Sequence, residues 1–194
     1  MPIENYQESR QNDFFNICSK CPSGCCSGAR PPLTQKRKKI IRNFLEANGI
    51  KIIDPFTDRG YSFPKETSEG DCIFWNKTSR KCQIQPVKPE TCVAGPVTFD
   101  INPRTGKIEW WLKKETICLL AGALYRRKED LNNHMKSARI EILRLIHGLD
   151  CEALRTILKV EEPETFKINE DILDSKLILS LNGVHLNHES TSNK

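Results

Sequence analysis

Residues 18–26 read CSKCPSGCC, so four cysteines lie close together in the spacing C-x2-C-x3-C-C. The Gly, Ser and Pro residues among them predict a loop. Two residues between Cys18 and Cys21 let a tight turn aim both sulfurs at one metal ion, at a metal–sulfur distance of about 2.3 Å. Cys25 and Cys26 are adjacent, and neighbouring side chains diverge. This favours either two metal sites or a polynuclear cluster whose metals the two sulfurs reach separately.

The cysteine pattern continues along the chain. Cys72, Cys82 and Cys92 follow at equal intervals, and Cys118 comes after a predicted hairpin. Soft thiolate ligands select zinc, iron–sulfur clusters or Cu(I), and eight of them would satisfy two tetrahedral four-sulfur sites. The candidate metal ligands are Cys18, Cys21, Cys25, Cys26, Cys72, Cys82, Cys92 and Cys118.

Two cysteines near helix starts need separate treatment. Cys118 begins an apolar helical stretch, where a buried core cysteine is as well explained as a metal ligand. Cys151 stands alone in the second part of the chain. We therefore expect Cys151 not to be a ligand and leave both readings open for Cys118.

Composition sets the class of protein. The 194 residues are 38% hydrophobic and 28% charged, which argues against a disordered chain, a coiled coil or a membrane protein. Residues 1–17 show no apolar export signal, and the apolar run at 117–124 is too short to span a bilayer. We expect a cytoplasmic protein, in which clustered cysteines bind metal more often than they form disulfides.

Charge and histidine are distributed unevenly. Residues 30–42 read RPPLTQKRKKIIR, with six positive charges and no acid, which suits phosphate contacts to nucleic acid. We favour a solvated helix face instead, opposite a stripe of Ile40, Ile41, Phe44 and Leu45. The histidines all lie beyond residue 118, so a metal site before it is expected to be all-thiolate. They are His134, His147, His185 and His188.

Hydrophobic periodicity predicts an α+β fold, a small metal-organised cysteine-rich domain with a β-hairpin and a C-terminal helical layer. We expect residues 1–118 to form the cysteine-cluster metal-binding region and residues 119–194 to be a helical extension packing on it. Predicted helices cover 33–48, 117–127, 131–147, 151–160 and 170–181. Predicted strands cover 50–53 and 72–75, and a hairpin joins 97–101 to 107–112 through a turn with Gly106, with Trp110 and Trp111 on opposite faces.

The cysteine pattern resembles that of the YkgJ-type cysteine-cluster family, described as a zinc- or iron-chelating domain. The family signature runs C-x2-C-x3-C-C, then a helix, C-x-F, C-x-I and an R-P-x2-C-R segment ending in Pro. The likeness covers about residues 18–96. The matching residues are Cys18, Cys21, Cys25 and Cys26, then Cys72-Ile-Phe74, Cys82-Gln-Ile84, and Lys88-Pro89-Glu-Thr-Cys92 followed by Pro96.

This resemblance implies a metal site held by those cysteines. Lys88 and Val93 stand where the family has arginines, and the loop from Cys72 to Cys82 is longer. These departures leave the metal ligands in place, but a role of the arginines in binding a partner or an anion does not carry over. Flagellin lysine N-methylases have a similar cysteine pattern, which hints at methyl transfer.

Three functional hypotheses follow. The first is a protein that chelates zinc or an iron–sulfur cluster. The second is an iron–sulfur-dependent oxidoreductase or methyl-transfer enzyme, and the third is a zinc-stabilised nucleic-acid-binding protein that uses Arg30–Arg42. A protein partner is compatible with each of them, whereas a membrane partner is not expected. The sequence offers no substrate and no histidine beside the cysteines, so whether the protein is an enzyme stays open.

Overall fold

The computed structural model describes residues 16–21, 25–162 and 164–174, together with Ile178 and Leu181. Residues 16–20 are helical. The helices that follow are α1 (Gln35–Ala47), α2 (Glu90–Ala94), α3 (Leu119–Arg126), α4 (Lys128–Gly148) and α5 (Cys151–Leu158), with a 3-10 turn at Gln85–Val87.

The strands form three small antiparallel sheets, and the fold is α+β as predicted. The two short sheets pair β1 (Phe56–Asp58) with β2 (Ser62–Pro64), and β3 (Trp75–Asn76) with β4 (Lys81–Cys82). The third sheet has the order β5-β6-β7 and consists of β5 (Val97–Asn102), β6 (Lys107–Lys113) and β7 (Thr165–Ile172). No helix in the described part of the chain is both long and apolar enough to cross a membrane.

The hairpin β5–β6 confirms the clearest strand prediction. Ile101 lies opposite Ile108 in the antiparallel register, and Gly106 in the turn has a φ of +66°. Alternate residues of β6 are buried, so Trp110 lies fully inside while Trp111 is half-buried.

The buried face of this sheet packs against helices α3, α4 and α5. We call this cluster of buried residues the sheet–helix core. It consists of Ala94, Val97, Ile101, Ile108, Trp110, Leu112, Cys118, Ala121, Met135, Ala138, Ile142, Ile146, Leu154, Leu173 and Leu181.

The helix predicted over 170–181 is wrong at its beginning, where the chain forms the strand β7. The second edge of β6 offers a full row of hydrogen-bonding groups, and β7 fills it in antiparallel register. The contact is reinforced at Asp171, whose carboxylate accepts a hydrogen bond from Trp110 Nε1 at 2.7 Å and lies 2.9 Å from Arg139 Nε. Ile178 and Leu181, the described residues of the later part, are helical.

A second cluster of buried residues lies on the side of the cysteine loops, and we call it the cysteine-side core. It consists of Leu33, Ile41, Leu45, Phe56, Cys72, Phe74 and Ile84. The elements around it are short, since β3 and β4 contain two residues each and β1 and β2 contain three. Most of this region is therefore turns and loops.

Three local predictions for this region are wrong. Residues 50–53 are not a strand, and Ile53 is 93% exposed. In the predicted strand 72–75 the chain turns at Ile73 and Phe74, so β3 begins only at Trp75. On α1, Ile40 lies outside the apolar face at 38% exposure.

Lys38 takes part in the buried face of α1 instead. Only 5% of this residue is exposed, and its ammonium lies 3.2 Å from Asp58 Oδ1. Lys38 Nζ also donates to Ser62 Oγ at 2.9 Å. These partners explain how α1 buries a cation, because a buried charge is stable only when paired and hydrogen-bonded.

The two cores meet where the beginning of α1, helix α2 and the end of α4 come together, and we call this contact the junction. The buried Thr34 caps α1 by accepting from Arg37 N at 3.1 Å, and it donates to Glu90 Oε1 at 2.8 Å. Arg37 pairs with Glu141 on α4. A Cβ on Gly148 would lie 2.5 Å from Thr34 Cγ2, so the two helices approach closely there.

Candidate metal centre

Cys18, Cys21, Cys25 and Cys118 form one group of neighbouring thiols, the outer thiol group. Cys21 N donates to Cys18 O at 3.2 Å where the first helix ends, and Cys118 is the N-cap of α3. The thiol of Cys18 interacts electrostatically with the other three. The sequence thus brings residues about 100 positions apart to one place.

Crowding by neighbouring atoms makes two of the outer thiols, Cys18 and Cys118, harder to ionise. Burial raises the pKa of Cys18 to about 11, and the nearby thiol of Cys118 adds to the rise. Burial likewise raises the pKa of Cys118, and the nearby Cys25 and Cys21 contribute further. As whole residues, however, Cys18 and Cys25 are exposed to solvent.

Cys26, Cys72, Cys82 and Cys92 form a second group, the inner thiol group. Cys72 N donates to Cys26 O at 2.7 Å, and the pairing of β3 with β4 places Cys82 opposite Trp75. Cys26 and Cys82 pack against the cysteine-side core, which contains Cys72. None of these four residues is exposed.

The inner thiols influence one another's ionisation. Burial raises the pKa of Cys26 to about 12, and the nearby Cys72, Cys82 and Cys25 push it in the same direction, so the two groups adjoin at the pair Cys25 and Cys26. Burial also raises the pKa of Cys72 to about 11. For Cys92, on α2, burial raises the pKa and the other three inner thiols add to the rise. These interactions identify Cys26, Cys72, Cys82 and Cys92 as neighbours.

Backbone N–H groups are directed at three of the sulfurs. Burial raises the pKa of the Cys72 and Cys82 thiols, but Phe74 N–H and Ile84 N–H donate to those sulfurs and oppose the rise. Cys118 receives the same support from the first turn of α3, at Leu120 and Ala121. Such donors stabilise the thiolate form that binds metal. The C-x-F and C-x-I spacings contained this signal, which the sequence analysis did not use.

Lys88 is a further residue whose role sequence reasoning missed. It is half-buried between the 3-10 turn and α2. Its positive charge opposes the effect of burial on the pKa of thiols in both groups, namely Cys18, Cys26, Cys82 and Cys92. Lys88 therefore lies within electrostatic reach of the outer and the inner group.

The donor chemistry fits a thiolate-bound metal ion. None of the nine cysteines is in a disulfide. Among the described residues, however, no three Cys, His, Asp or Glu side chains converge as a preformed metal site. A bound ion would therefore require the sulfurs of a group to move closer together than they lie here.

The histidines add little to this donor set. His134 lies on α4, and its Nε2 is 2.8 Å from Ala94 O on α2. The imidazole is therefore already engaged in a contact between these two helices. Burial lowers the pKa of His134. His147 is exposed near the end of α4, and His185 and His188 lie outside the described residues.

Much of the positive charge of the basic segment 30–42 is paired with carboxylates within the molecule. Arg30 Nε lies 3.0 Å from Glu66 Oε2, Arg37 pairs with Glu141, and Lys38 pairs with Asp58. Arg42 lies over the Phe56 ring, 5.1 Å from its centroid. Half of the six cations thus have carboxylate partners, which halves the charge that the segment could offer to phosphates.

Comparisons with known proteins place a described family domain over this part of the chain. The family model CxxCxxCC, described as "Putative zinc- or iron-chelating domain", matches residues 17–119, more than half of the chain. This confirms the resemblance to a cysteine-cluster family. A protein of Methanocaldococcus jannaschii, named "Uncharacterized protein MJ0661", is 28% identical over 109 residues. The match spans 53% of this chain and 57% of that relative. No solved structure matches the chain.

Proposed function

We propose that this chain, which belongs to the CxxCxxCC family, chelates zinc or iron through the eight thiols of its outer and inner groups. The proposal is supported by eight cysteines, none of them in a disulfide, that come from distant parts of the sequence into two neighbouring groups. Cysteines kept only for packing would have no need of backbone donors such as those at Cys72, Cys82 and Cys118.

Four thiolates and a tetrahedral geometry suit zinc, and the same donors suit iron in a mononuclear or cluster form. When bound, the metal cross-links chain segments that have little regular structure of their own. The protein's residues contribute in two ways. The N–H groups of Phe74, Ile84, Leu120 and Ala121 hold the sulfurs as acceptors, and Lys88 offsets part of the negative charge that eight thiolates would carry.

Metal binding must displace the thiol protons. Because burial raises the pKa of most of these cysteines, the metal-free protein holds them mainly as neutral thiols at neutral pH. Binding is then expected to release protons and to strengthen as the pH rises. A reducing compartment such as the cytoplasm, which keeps thiols from pairing as disulfides, is the location we propose.

The test is metal analysis of protein purified without oxygen, combined with a visible absorption spectrum. Replacing Cys26 or Cys82 by Ser should lower the metal content, whereas Cys151→Ser, a matched control away from both groups, should leave it unchanged. Zinc in colourless protein would assign a zinc site and exclude the iron–sulfur enzyme hypothesis. A coloured protein containing iron and sulfide would assign a cluster. A protein that retains neither metal, and takes up neither when both are supplied, would contradict the proposal.

A further inference from the structure

We propose that a cavity beside the end of α1 binds a small apolar anion, a carboxylate with an aliphatic tail. The cavity measures about 450 Å³ and lies between the last turns of α1 and residues 50–55. Binding sites for small molecules commonly measure roughly 300–1,000 Å³. None of the described residues that line this cavity is a cysteine, so the inference adds a second binding function and does not depend on metal.

The cavity forms where the chain turns sharply after α1. The helix ends at Ala47, and Gly49 turns the backbone with a φ of +64°. Ile50 N then donates to Leu45 O at 2.9 Å, which holds the start of the next segment against the helix. Residues 50–53 form no strand, and the cavity stays open between them and the helix.

Apolar side chains form much of the lining. Leu45 and Pro55 are buried, while Ile50 and Ile52 are half-buried and pack against the cysteine-side core. Ile53 also lines the cavity, although 93% of it is exposed. A single exposed apolar residue is ordinary, but Ile53 extends an apolar surface that is already present. An aliphatic tail laid on this surface would remove it from water, which stabilises the complex.

The backbone keeps Ile53 in its exposed position. The next residue, Asp54, has a φ of +46°, in the left-handed region that costs a residue other than glycine free energy. Two contacts with Lys65 hold this turn: the Asp54 carboxylate lies 2.7 Å from Lys65 Nζ, and Lys65 N donates to Pro55 O at 2.8 Å. A fixed turn that leaves a large apolar side chain in water is expected where that side chain meets a ligand.

Arg42 is the cation that an anionic head group would meet. It lines the cavity, and its charge lowers the pKa of two nearby acids, Asp54 and Asp58, alongside their hydrogen-bond partners. Both acids are already paired with another cation, Asp54 with Lys65 and Asp58 with Lys38. The Arg42 guanidinium is therefore not the main partner of either carboxylate.

The charges that remain at the cavity favour an anion. Lys51 is a second cation in the lining, and Glu46, one turn after Arg42, is the acid that Lys65 does not pair with. Arg42, Lys51 and Glu46 form no ion pair with another residue in the described part of the chain. Two cations and one acid leave a surplus of positive charge. A guanidinium can bind a carboxylate through two parallel hydrogen bonds, so a carboxylate is the head group that suits Arg42.

The experiment titrates the full-length protein, purified without oxygen, with decanoate below its micelle concentration. Binding should shift the backbone amide NMR signals of residues 42–55. Decyltrimethylammonium, which has the same tail and the opposite charge, should bind at least about tenfold more weakly. Acetate, which has the carboxylate without the tail, should leave these signals in place.

Two variants test the head group and the tail separately. Arg42→Gln should weaken decanoate binding roughly tenfold, the scale of one charge-assisted hydrogen bond. Its control is Lys39→Gln, which removes an exposed cation of the same helix outside the cavity and should leave the affinity nearly unchanged. Ile53→Ser should also weaken binding, whereas Ile140→Ser, at an exposed isoleucine on α4, should not.

Three results would overturn the inference: shifts confined to residues outside 42–55, equal affinity for the two decyl compounds, or full affinity in Arg42→Gln. Ile53 is exposed, so its variant is expected to fold. If Arg42→Gln does not fold, Ile53→Ser decides the matter, and unchanged affinity there overturns the inference. A protein that holds no metal yet binds decanoate would contradict the proposed function and support this second one.

Discussion

The sheet–helix core and the cysteine-side core are stabilised in different ways. Among the described residues the first contains fifteen buried members and the second seven. The first is framed by a three-stranded sheet and the 21-residue helix α4, the second by the 13-residue helix α1 and by strands of two or three residues. A small core with little regular structure gains too little from apolar burial to order long loops, so such regions commonly need disulfides or metal. The contrast therefore assigns packing to one side of the molecule and metal to the other.

Removing the metal should produce the largest difference in stability between the two regions. Structural zinc contributes roughly 10–16 kcal/mol of folding free energy in small zinc domains. After chelation under reducing conditions, we expect amide protection in residues 56–94 to collapse while β5 and β6 stay protected. Hydrogen exchange with and without metal measures this. Equal loss of protection in β5 and β6 would show that metal supports both regions alike.

Trp110→Ala tests the packed side. The ring is fully buried and its Nε1 is hydrogen-bonded to Asp171, so we expect a loss of about 3–5 kcal/mol in the free energy of unfolding. Chemical denaturation of the metal-loaded protein measures it. The matched control is Trp111→Ala, the half-buried neighbour on the other face, which should cost clearly less. Equal costs would contradict the assignment of Trp110 to the centre of the sheet–helix core.

Gly148→Ala tests the junction that joins the regions. The new Cβ would lie 2.5 Å from Thr34 Cγ2, and Thr34 cannot easily turn away because it caps α1 and donates to Glu90. We expect a loss of about 1–3 kcal/mol in stability, the usual cost of overpacking. Ser137→Ala, an exposed change on the same helix, is the control. A Gly148→Ala protein as stable as the control would mean that the helices are not in contact there.

The smallest expected effect is on the pH dependence of stability and concerns His134. The pKa of its ring reports on the contact between α2 and α4. Burial lowers its pKa below the ordinary 6.5. The unfolded chain then binds a proton at a pH where the folded chain does not, so this contribution is intact above 6.5 and is lost as the pH falls below it. An NMR titration of the ring should give a midpoint below 6.5, and His134→Gln should flatten this part of the pH dependence. A midpoint above 6.5 would contradict the buried placement.

The elements predicted well were those whose own periodicity determines them. Alternating apolar residues and the Gly106 turn identified the β5–β6 hairpin, and helical spacing identified α1, α3, α4 and α5. The end of strand β7, residues 170–172, falls within the helix predicted over 170–181, because Ile172, Leu173, Ile178 and Leu181 suit helical spacing. The alternation of Phe166 and Ile168 before it favoured a strand. What decides the matter is the open edge of β6, a tertiary fact that local propensity does not contain.

Local reasoning also fails for buried charges. Lys38 was expected on the solvated face of α1, and its burial depends on Asp58, which is twenty residues away. The spacing alone was enough to predict which cysteines are candidate metal ligands. Their division into two groups depends on how three loops and the start of α3 meet, which the sequence does not show. The ligand set and the division of the chain at residue 118 stay predictions.

The order of the strands has a consequence for synthesis of the protein. β6 is the middle strand of its sheet, yet its second partner β7 follows only after residues 114–164, which contain three helices. At roughly 5–20 residues per second, a growing chain exposes that edge for seconds before β7 emerges. During this interval the nascent protein carries an unpaired strand edge, which is the state most exposed to aggregation. A chain that stops before residue 165 would keep this edge open permanently.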